Sequence, residues 1–365
     1  MRIVSVVGAR PNFMKIAPLE REFQKIQGVE HLIVHTGQHY GEVMNDVFFR
    51  QLGLPEPTRH LGVGSGKHGE MTGKIMIMFE QVCEDLKPSM VIVVGDVNST
   101  LAASLVAKKL LIPVSHVEAG LRSFDETMPE EINRRLTDHL SDLLFVSEPS
   151  GVRNLRREGI PESRIHLVGD IMLETLQMFV GDITSRRRYE DFQLEKKSYA
   201  LVTIHRPSNV DDPGSLTEVI DVLRLIERPI VFPAHPRTAE RLQRFGLWKQ
   251  LESIPHLTVT EPQPYLDFLS LLEGASLILS DSGSVQSEAS FFNVPCLVCR
   301  ENTERPIYVE QGTSQLVGRS KEKVKFFLEK IENGEYQTAR PQIDKLGSGV
   351  ARKVVGTVTD YLVSH

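Results

Sequence analysis

Short apolar runs and amphipathic stretches alternate along almost the whole chain. Ile3–Val7, His31–His35, Met90–Val94, Ile112–Ser115, Leu143–Val146 and Ile165–Val168 have strand length and strand composition. Between them apolar residues recur at helical spacing, as in Phe13, Ile16, Leu19, Phe23 and Ile26. Pro18 falls inside that pattern, so the helix either kinks or begins there. A helix is predicted over Val43–Leu52, closed by Gly53 and Pro55, and another over Leu101–Leu110. The segment from Gly62 to Gly73 also holds Gly64, Gly66 and Gly69, and is predicted as a mobile loop. After it, Met71, Ile75, Met78 and Val82 form a stripe expected to lie in the core rather than to bind a ligand.

The alternation stops at Gly181–Ser198, where Arg186, Arg187, Arg188, Lys196 and Lys197 stand among polar residues and read as a solvated surface element. It then restarts with strands at Tyr199–Thr203, Ile230–Phe232, Leu257–Thr260, Leu277–Leu279 and around Cys296–Cys299. Helices are expected at Leu216–Ile226, Arg237–Phe245, Tyr265–Leu272, Lys321–Ile331 and Val350–Leu362, and one opens at Asp281 and runs to Phe292. Alternating strands and helices argue for parallel sheets covered on both faces. The fold class predicted is α/β, with two Rossmann-like, doubly wound parallel-sheet domains facing a cleft. They cover residues 1–170 and 171–345, and a terminal helix lies in 346–365.

Composition changes this picture little. A chain of 365 residues exceeds one ordinary core, and 41% hydrophobic with 25% charged residues is a soluble globular composition. A net charge of -6 gives no footprint for nucleic acid and no polybasic membrane signal. Residues 1–8 read as a strand running into Gly8, without a signal-peptide core, and no apolar run reaches membrane-span length. Cys83, Cys296 and Cys299 are an odd count, which favours a reducing, cytoplasmic setting. The C-x-x-C of Cys296 and Cys299 lies on a strand, where residues three apart face opposite ways, so a redox pair is not expected.

Polar clusters fall just after the strands, at the edge where open α/β sheets bind ligands. The densest is His116–Arg135, with Glu118, Arg122, Asp125, Glu126, Glu130, Glu131, Arg134 and Arg135, read as the acid/base part of a site within a strand-to-helix connection. Asp96 follows an earlier strand. Arg10 and Lys15 are suited to clamp a diphosphate, or are a turn-capping arginine and a surface lysine. His205, beside Arg206, is placed for proton transfer near neutral pH or is structural. Asp281-Ser282-Gly283-Ser284 opens a helix whose N–H groups suit a phosphate or are merely capped, and Glu288 one turn on either meets a ribose or is solvated. There is no G-x-G-x-x-G and no Walker sequence, so NAD and ATP sites have no support, and the dispersed histidines support no metal site.

Six ordered segments carry a resemblance: GARPNFMK at 8–15, GDVNSTLA at 95–102, HVEAGLRSFDETMPEEINR at 116–134, TIHRPSNVDDP at 203–213, DSGSVQSEA at 281–289 and TERP at 303–306. Together they resemble the non-hydrolysing UDP-N-acetylglucosamine 2-epimerases, from residue 1 to about residue 320. The resemblance implies a GT-B-like fold, a final helix that returns to the N-terminal domain, and a homodimer. It also implies interconversion of UDP-N-acetylglucosamine and UDP-N-acetylmannosamine through elimination of UDP to 2-acetamidoglucal and re-addition, with no cofactor and no metal. By position, Asp96, Glu118, Glu130 and His205 match the catalytic residues; Glu130 rather than Glu131 follows Pro129 as in the family. Arg10, Lys15, Arg206, Gln263, Phe268, Ser282, Gly283, Ser284, Glu288 and Arg305 match substrate-binding positions: Gln263 and Phe268 at uracil, Glu288 at ribose, the Ser282 helix start and Arg305 at the diphosphate.

Some positions depart from the family pattern. Ser284 stands where glycine is common, and Asn12, Ser208 and Ser287 where glutamate is common. Gln38-His39-Tyr40 lacks the arginine of the allosteric bacterial branch, and the Phe124–Met128 loop is shorter than in that branch. Both features are also found in 2-epimerases of UDP-2,3-diacetamido-2,3-dideoxyglucuronic acid, which are the alternative reading. A glycosyltransferase of the same fold or a non-catalytic UDP-sugar-binding protein would not need Asp96, Glu118, Glu130 and His205 together.

Overall fold

The structure, a computed structural model, describes residues 1–37, 52–336 and 346–364. Gln38-His39-Tyr40 and most of the helix expected at Val43–Leu52 lie outside the described residues, as does the side chain of Arg10. The chain divides into two compact units, Met1–Gln177 with Lys345–His365, and Met178–Asp344.

The first unit is a seven-stranded parallel sheet. Its strands are β1 (Arg2–Val7), β2 (Glu30–His35), β3 (Arg59–His60), β4 (Met90–Val94), β5 (Val114–Ala119), β6 (Leu143–Val146) and β7 (Ile165–Leu167), in the order β3-β2-β1-β4-β5-β6-β7. Its helices are α1 (Arg10–Phe23), α2 (His68–Leu86), α3 (Asn98–Lys109), α4 (Pro129–Leu140) and α5 (Pro149–Arg157). Through α6 (Ile171–Arg186) the chain passes into the second unit. β1 and β4 are buried along nearly their whole length, which is why they read as continuous apolar runs.

The second unit holds a six-stranded parallel sheet of β8 (Ala200–Thr203), β9 (Ile230–Pro233), β10 (Leu257–Thr260), β11 (Leu277–Ser280), β12 (Cys296–Val298) and β13 (Ser314–Leu316), in the order β10-β9-β8-β11-β12-β13. Its helices are α7 (Pro207–Val210), α8 (Pro213–Leu223), α9 (Pro236–Arg244), α10 (Trp248–Glu252), α11 (Tyr265–Gly274), α12 (Gly283–Phe291), α13 (Ile307–Glu310) and α14 (Lys321–Glu332). The last helix, α15 (Val350–Ser364), belongs to the first unit and packs against α1.

Both sheets reverse their direction of growth once, between β1 and β4 in the first and between β8 and β11 in the second. Loops leaving two such strands diverge to opposite faces and open a crevice at their carboxyl ends, where ligands bind in sheets of this kind. The fold therefore marks two places in advance. They are the turns after β1 and β4, which hold Gly8–Arg10 and Gly95–Asp96, and those after β8 and β11, which hold His205–Arg206 and Asp281–Ser282.

Several expectations change. Helix α1 runs through Pro18 rather than beginning there. The proline has no N–H for the Met14 carbonyl one turn back, and the Thr175 hydroxyl donates to that carbonyl instead at 2.6 Å. The glycine-rich stretch is no long loop: α2 begins at His68 and continues through Gly69 and Gly73, and backbone bonds from Val63 to Thr36 and Gly64 to Gly37 tack down the turn before it. On α2, Phe79 is in the core and Met78 only half-buried. Lys197, though exposed, donates its ammonium to the carbonyls of Glu273 and Ala275 at 2.7 and 2.9 Å. The edge strands β3 and β13, two and three residues long, were too short to show as apolar runs.

Candidate active site

The strand before the acidic stretch is longer than its apolar run. β5 continues through His116, Val117 and Glu118 to Ala119, all buried. Glu118 sits in this strand with φ 78, and the register between β5 and β6 shifts between Val117 and Ala119. A left-handed glutamate in a bulge costs about 1–3 kcal/mol and persists only where its surroundings enforce it. The acid/base stretch is therefore part strand and part loop, with its first carboxylate re-aimed by the bulge.

Lys15, on the first turns of α1, forms a buried ion pair with Glu118. The bland reading of Lys15 as a surface lysine is overturned, since it is 6% exposed. Gly95 makes room for the pair: it has φ +68, and a Cβ there would come within 2.8 Å of the Lys15 ammonium. Asn12, where the family often has glutamate, fastens the same corner. Its Oδ1 accepts from the Gly8 and Ala9 amides at 2.9 Å each, and its Nδ2 donates to the Val94 carbonyl at 3.0 Å.

Asp96 follows β4. Arg134, on the second turn of α4, donates Nε and Nη2 to its Oδ2 at 2.9 and 2.6 Å. Asn133 Nδ2 meets the Asp96 carbonyl at 2.9 Å. Arg134 also donates to Glu131, which accepts further bonds from the Ser123 amide and hydroxyl at 2.9 and 3.1 Å and the Phe124 amide at 3.2 Å. Glu131 thus holds the loop before α4. Its neighbour Glu130 is half-buried and makes no hydrogen bond or ion pair among the described residues. Of the two adjacent glutamates, Glu130 is the one left available.

In the second unit Asp281, fully buried at the end of β11, organises the turn after β8. It accepts from the His205 amide at 3.1 Å, the Arg206 amide at 2.8 Å and Asn209 Nδ2 at 2.9 Å. His205 Nδ1 lies 3.3 Å from Asp281 Oδ1, and the ring stacks 5.3 Å from that of His235. Ser282 is the N-cap of α12 but makes no side-chain cap bond; its hydroxyl lies 3.2 Å from that of Ser284. Gly283 lies so close to the Glu304 carboxylate that a side chain there would require Glu304 to move. Glu304 is held by Arg300 at 2.6 Å, with Arg206 3.8 Å away.

Glu288 is 1% exposed, so it is no solvated helix residue, and Tyr265 donates its hydroxyl to it at 2.9 Å. Arg305 is buried and its amide donates to Thr303 at 3.1 Å. Phe268 is half-buried on α11, and Gln263 in the loop before it donates to the Glu261 carbonyl at 2.8 Å. Tyr265 was missed in the sequence because it acts through one distant partner, Glu288. Cys296 and Cys299 are buried and unbonded, and burial pushes the Cys296 thiol up to about 12. Among the described residues no group of histidine, cysteine, aspartate and glutamate is arranged to hold a metal ion, and no helix is long and apolar enough to cross a membrane.

The family model for UDP-N-acetylglucosamine 2-epimerase matches residues 21–358. UDP-N-acetylglucosamine 2-epimerase of Methanocaldococcus jannaschii is 44% identical over 332 residues, covering 89% of this chain and 90% of the relative. The crystal structure of the M. jannaschii UDP-GlcNAc 2-epimerase in complex with UDP-GlcNAc and UDP superposes with a TM-score of 0.90 at 40% identity, covering 99% of this chain and 100% of that one. UDP-2,3-diacetamido-2,3-dideoxy-D-glucuronate 2-epimerase of Pseudomonas aeruginosa is 40% identical over 329 residues, covering 89% and 90%. With two parallel sheets in the GT-B-like arrangement of strands and a family model spanning most of its length, the chain belongs to the UDP-N-acetylglucosamine 2-epimerase family.

Proposed function

We propose that this protein interconverts UDP-N-acetylglucosamine and UDP-N-acetylmannosamine by reversible elimination of UDP. The observation that carries the reading is Glu118, a buried carboxylate in a left-handed bulge, paired with Lys15 at the carboxyl edge of the first sheet. A carboxylate held there as an anion suits proton transfer at a weakly acidic carbon.

The sugar C2 proton has no neighbouring carbonyl to acidify it, so direct exchange is out of reach. Elimination avoids that difficulty. A carboxylate takes the C2 proton, the C2–H electrons form the C1=C2 double bond, and the C1–O bond breaks with its electrons leaving on UDP. The products are 2-acetamidoglucal and UDP. In reverse UDP adds to C1 while a proton is delivered to the other face of C2. Asp96 and Glu118 are the carboxylates held by cations, Arg134 and Lys15. Glu130 and His205 are the further groups assigned to proton transfer.

In the same reading the nucleotide is held by the second unit. The free N–H groups at the start of α12, with Ser282, Gly283 and Ser284, suit the diphosphate, because a helix N-terminus offers unpaired donors and a favourable dipole. Arg206, Arg305 and Arg10 supply positive charge, Glu288 takes the ribose, and Gln263 and Phe268 take the uracil. The UDP-sugar is the only partner this chemistry requires. A homodimer in the cytoplasm completes the reading, supported by the family resemblance and by three buried, unbonded cysteines.

A second substrate has specific support in the 40% identity to the diacetamido-glucuronate enzyme. Positional isotope exchange tests both. UDP-N-acetylglucosamine carrying oxygen-18 in the sugar–phosphate bridge should scramble that label into the non-bridging β-phosphate positions. An unscrambled label with that substrate, beside scrambling with the diacetamido-uronate nucleotide, would move the assignment to the second sugar.

A further inference from the structure

Four ionisable side chains of the first unit, three buried and Glu158 partly exposed, lie behind the two carboxylates and take no part in the chemistry above. His116, in the middle of β5, is fully buried. Its Nδ1 lies 2.7 Å from Asp138 Oδ1 and its Nε2 lies 2.8 Å from the Gly95 carbonyl. A carbonyl only accepts, and so does a carboxylate held between an imidazole and an arginine, so each ring nitrogen carries a proton in this arrangement. Asp138 Oδ2 accepts from the Gly120 amide at 3.1 Å and pairs with Arg122 at 2.7 Å. Arg122 in turn donates Nε and Nη2 to Glu158 at 2.8 and 2.7 Å.

The two ends of this chain of bonds fall at telling places. Gly95 immediately precedes Asp96, and Gly120 is two residues beyond Glu118. Gly95, Glu118 and Gly120 all have left-handed φ, at +68, 78 and +80. A Cβ on Gly120 would stand 2.6 Å from the Gly151 carbonyl, so the turn packs closely against the Gly151 backbone and requires glycine there. One imidazole and one carboxylate thus tie together the backbone beneath two side chains that leave different strands. We infer that His116 and Asp138 are positioning residues, which act through Gly95 and Gly120 to hold Asp96 and Glu118 at a fixed separation. This rests on the proposed roles of Asp96 and Glu118. A misplacement of catalytic groups by about 1 Å costs on the order of 100-fold in rate.

Two measurements test it. In the wild-type protein, nitrogen-15 NMR of histidine should show one ring with both nitrogens protonated and slow to exchange at neutral pH, and that signal should vanish in His116→Gln. A singly protonated His116 would overturn the brace, whatever the enzyme turns over. The second is a kinetic split. Glutamine reaches one of the two acceptors but not both, so His116→Gln should lower kcat on the order of 100-fold while UDP affinity by calorimetry stays within about 2-fold. Unchanged kcat, or equal losses of kcat and UDP affinity, would contradict a positioning role. If His116→Gln does not fold, Glu158→Gln, at the half-exposed end of the chain, decides: it should give the same split in smaller measure, and an unchanged kcat there overturns the inference. Wild-type protein without epimerase activity would count against the proposed function and leave the NMR result to judge the brace.

Discussion

The ammonium of Lys15 and the carboxylate of Glu118 form a buried ion pair, one partner from the helix after β1 and the other from the bulge in β5. The two residues are 103 positions apart, and the pair spans β4, which lies between their strands. Its surroundings exclude water, so removing one partner takes a counter-charge away from a buried ion. Lys15→Met is expected to cost about 3–5 kcal/mol, the range for breaking a buried pair. Urea unfolding of the variant checks this. A change below about 1 kcal/mol would show that water or another cation replaces the lysine.

Glu118→Gln keeps the shape of the side chain and removes its charge. Incubated with UDP, this variant should bind with wild-type affinity, because the phosphate and ribose groups assigned to the nucleotide, Arg10 apart, lie in the second unit. It should lose proton exchange at C2. Retained exchange would remove Glu118 from the catalytic assignment.

At the second sheet, Glu288 is buried and bonded to Tyr265 at 2.9 Å. As the assigned ribose carboxylate it should contribute what a hydrogen bond to a charged group contributes, about 1.5–3 kcal/mol. Glu288→Gln should therefore weaken UDP binding by about 10- to 100-fold in calorimetry. UDP affinity unchanged by this substitution would put the ribose elsewhere.

The Thr175 hydroxyl takes the place of the N–H that Pro18 lacks. Thr175→Val should destabilise the protein by about 1–3 kcal/mol, since it leaves the Met14 carbonyl buried without a donor. In a Pro18→Ala background the helix supplies its own N–H and most of that cost should vanish. Equal costs in both backgrounds would mean that the threonine matters only for packing.

Acid stability should carry the mark of Glu20. Burial acts to raise its pKa, but the hydrogen bond and charge of His31, with a further bond from Gln24, outweigh burial and bring it below its ordinary 4.5. A carboxyl group lowered in the folded state stabilises it above the unfolded value and loses that contribution as pH falls through the folded one. Glu20→Gln should thus be less stable than wild type at pH 7 and converge with it in acid, below about pH 4. A constant difference from pH 7 to pH 3 would show that the charge is not the source.

Much of the fold was legible because buried parallel strands are continuous apolar runs, and β1, β4 and β6 are apolar from end to end or nearly so. β5 was half legible. Its second half is His116-Val117-Glu118, whose polar members are bonded to partners 21 to 103 residues away, and no local pattern announces such partners. The same holds for the acid/base stretch, where Glu131 and Arg134 looked as available as Glu130. Only the three-dimensional bonding shows that Glu131 is committed to the Ser123 turn and Arg134 to Asp96. Glu288 shows the opposite case: its position at helical spacing after Ser284 was plain, but neither its burial nor its bond to Tyr265 could be read from the helix alone.

The central claim is that the C2–H bond is broken and remade on the opposite face while UDP departs and returns. The most direct test is incubation of the protein with UDP-N-acetylglucosamine in deuterated water, followed at C2 by proton NMR. The account predicts that the manno epimer appears with deuterium at C2, and that UDP-N-acetylglucosamine itself acquires deuterium there. An epimer that keeps its original C2 proton, or free N-acetylmannosamine released together with UDP, would contradict it.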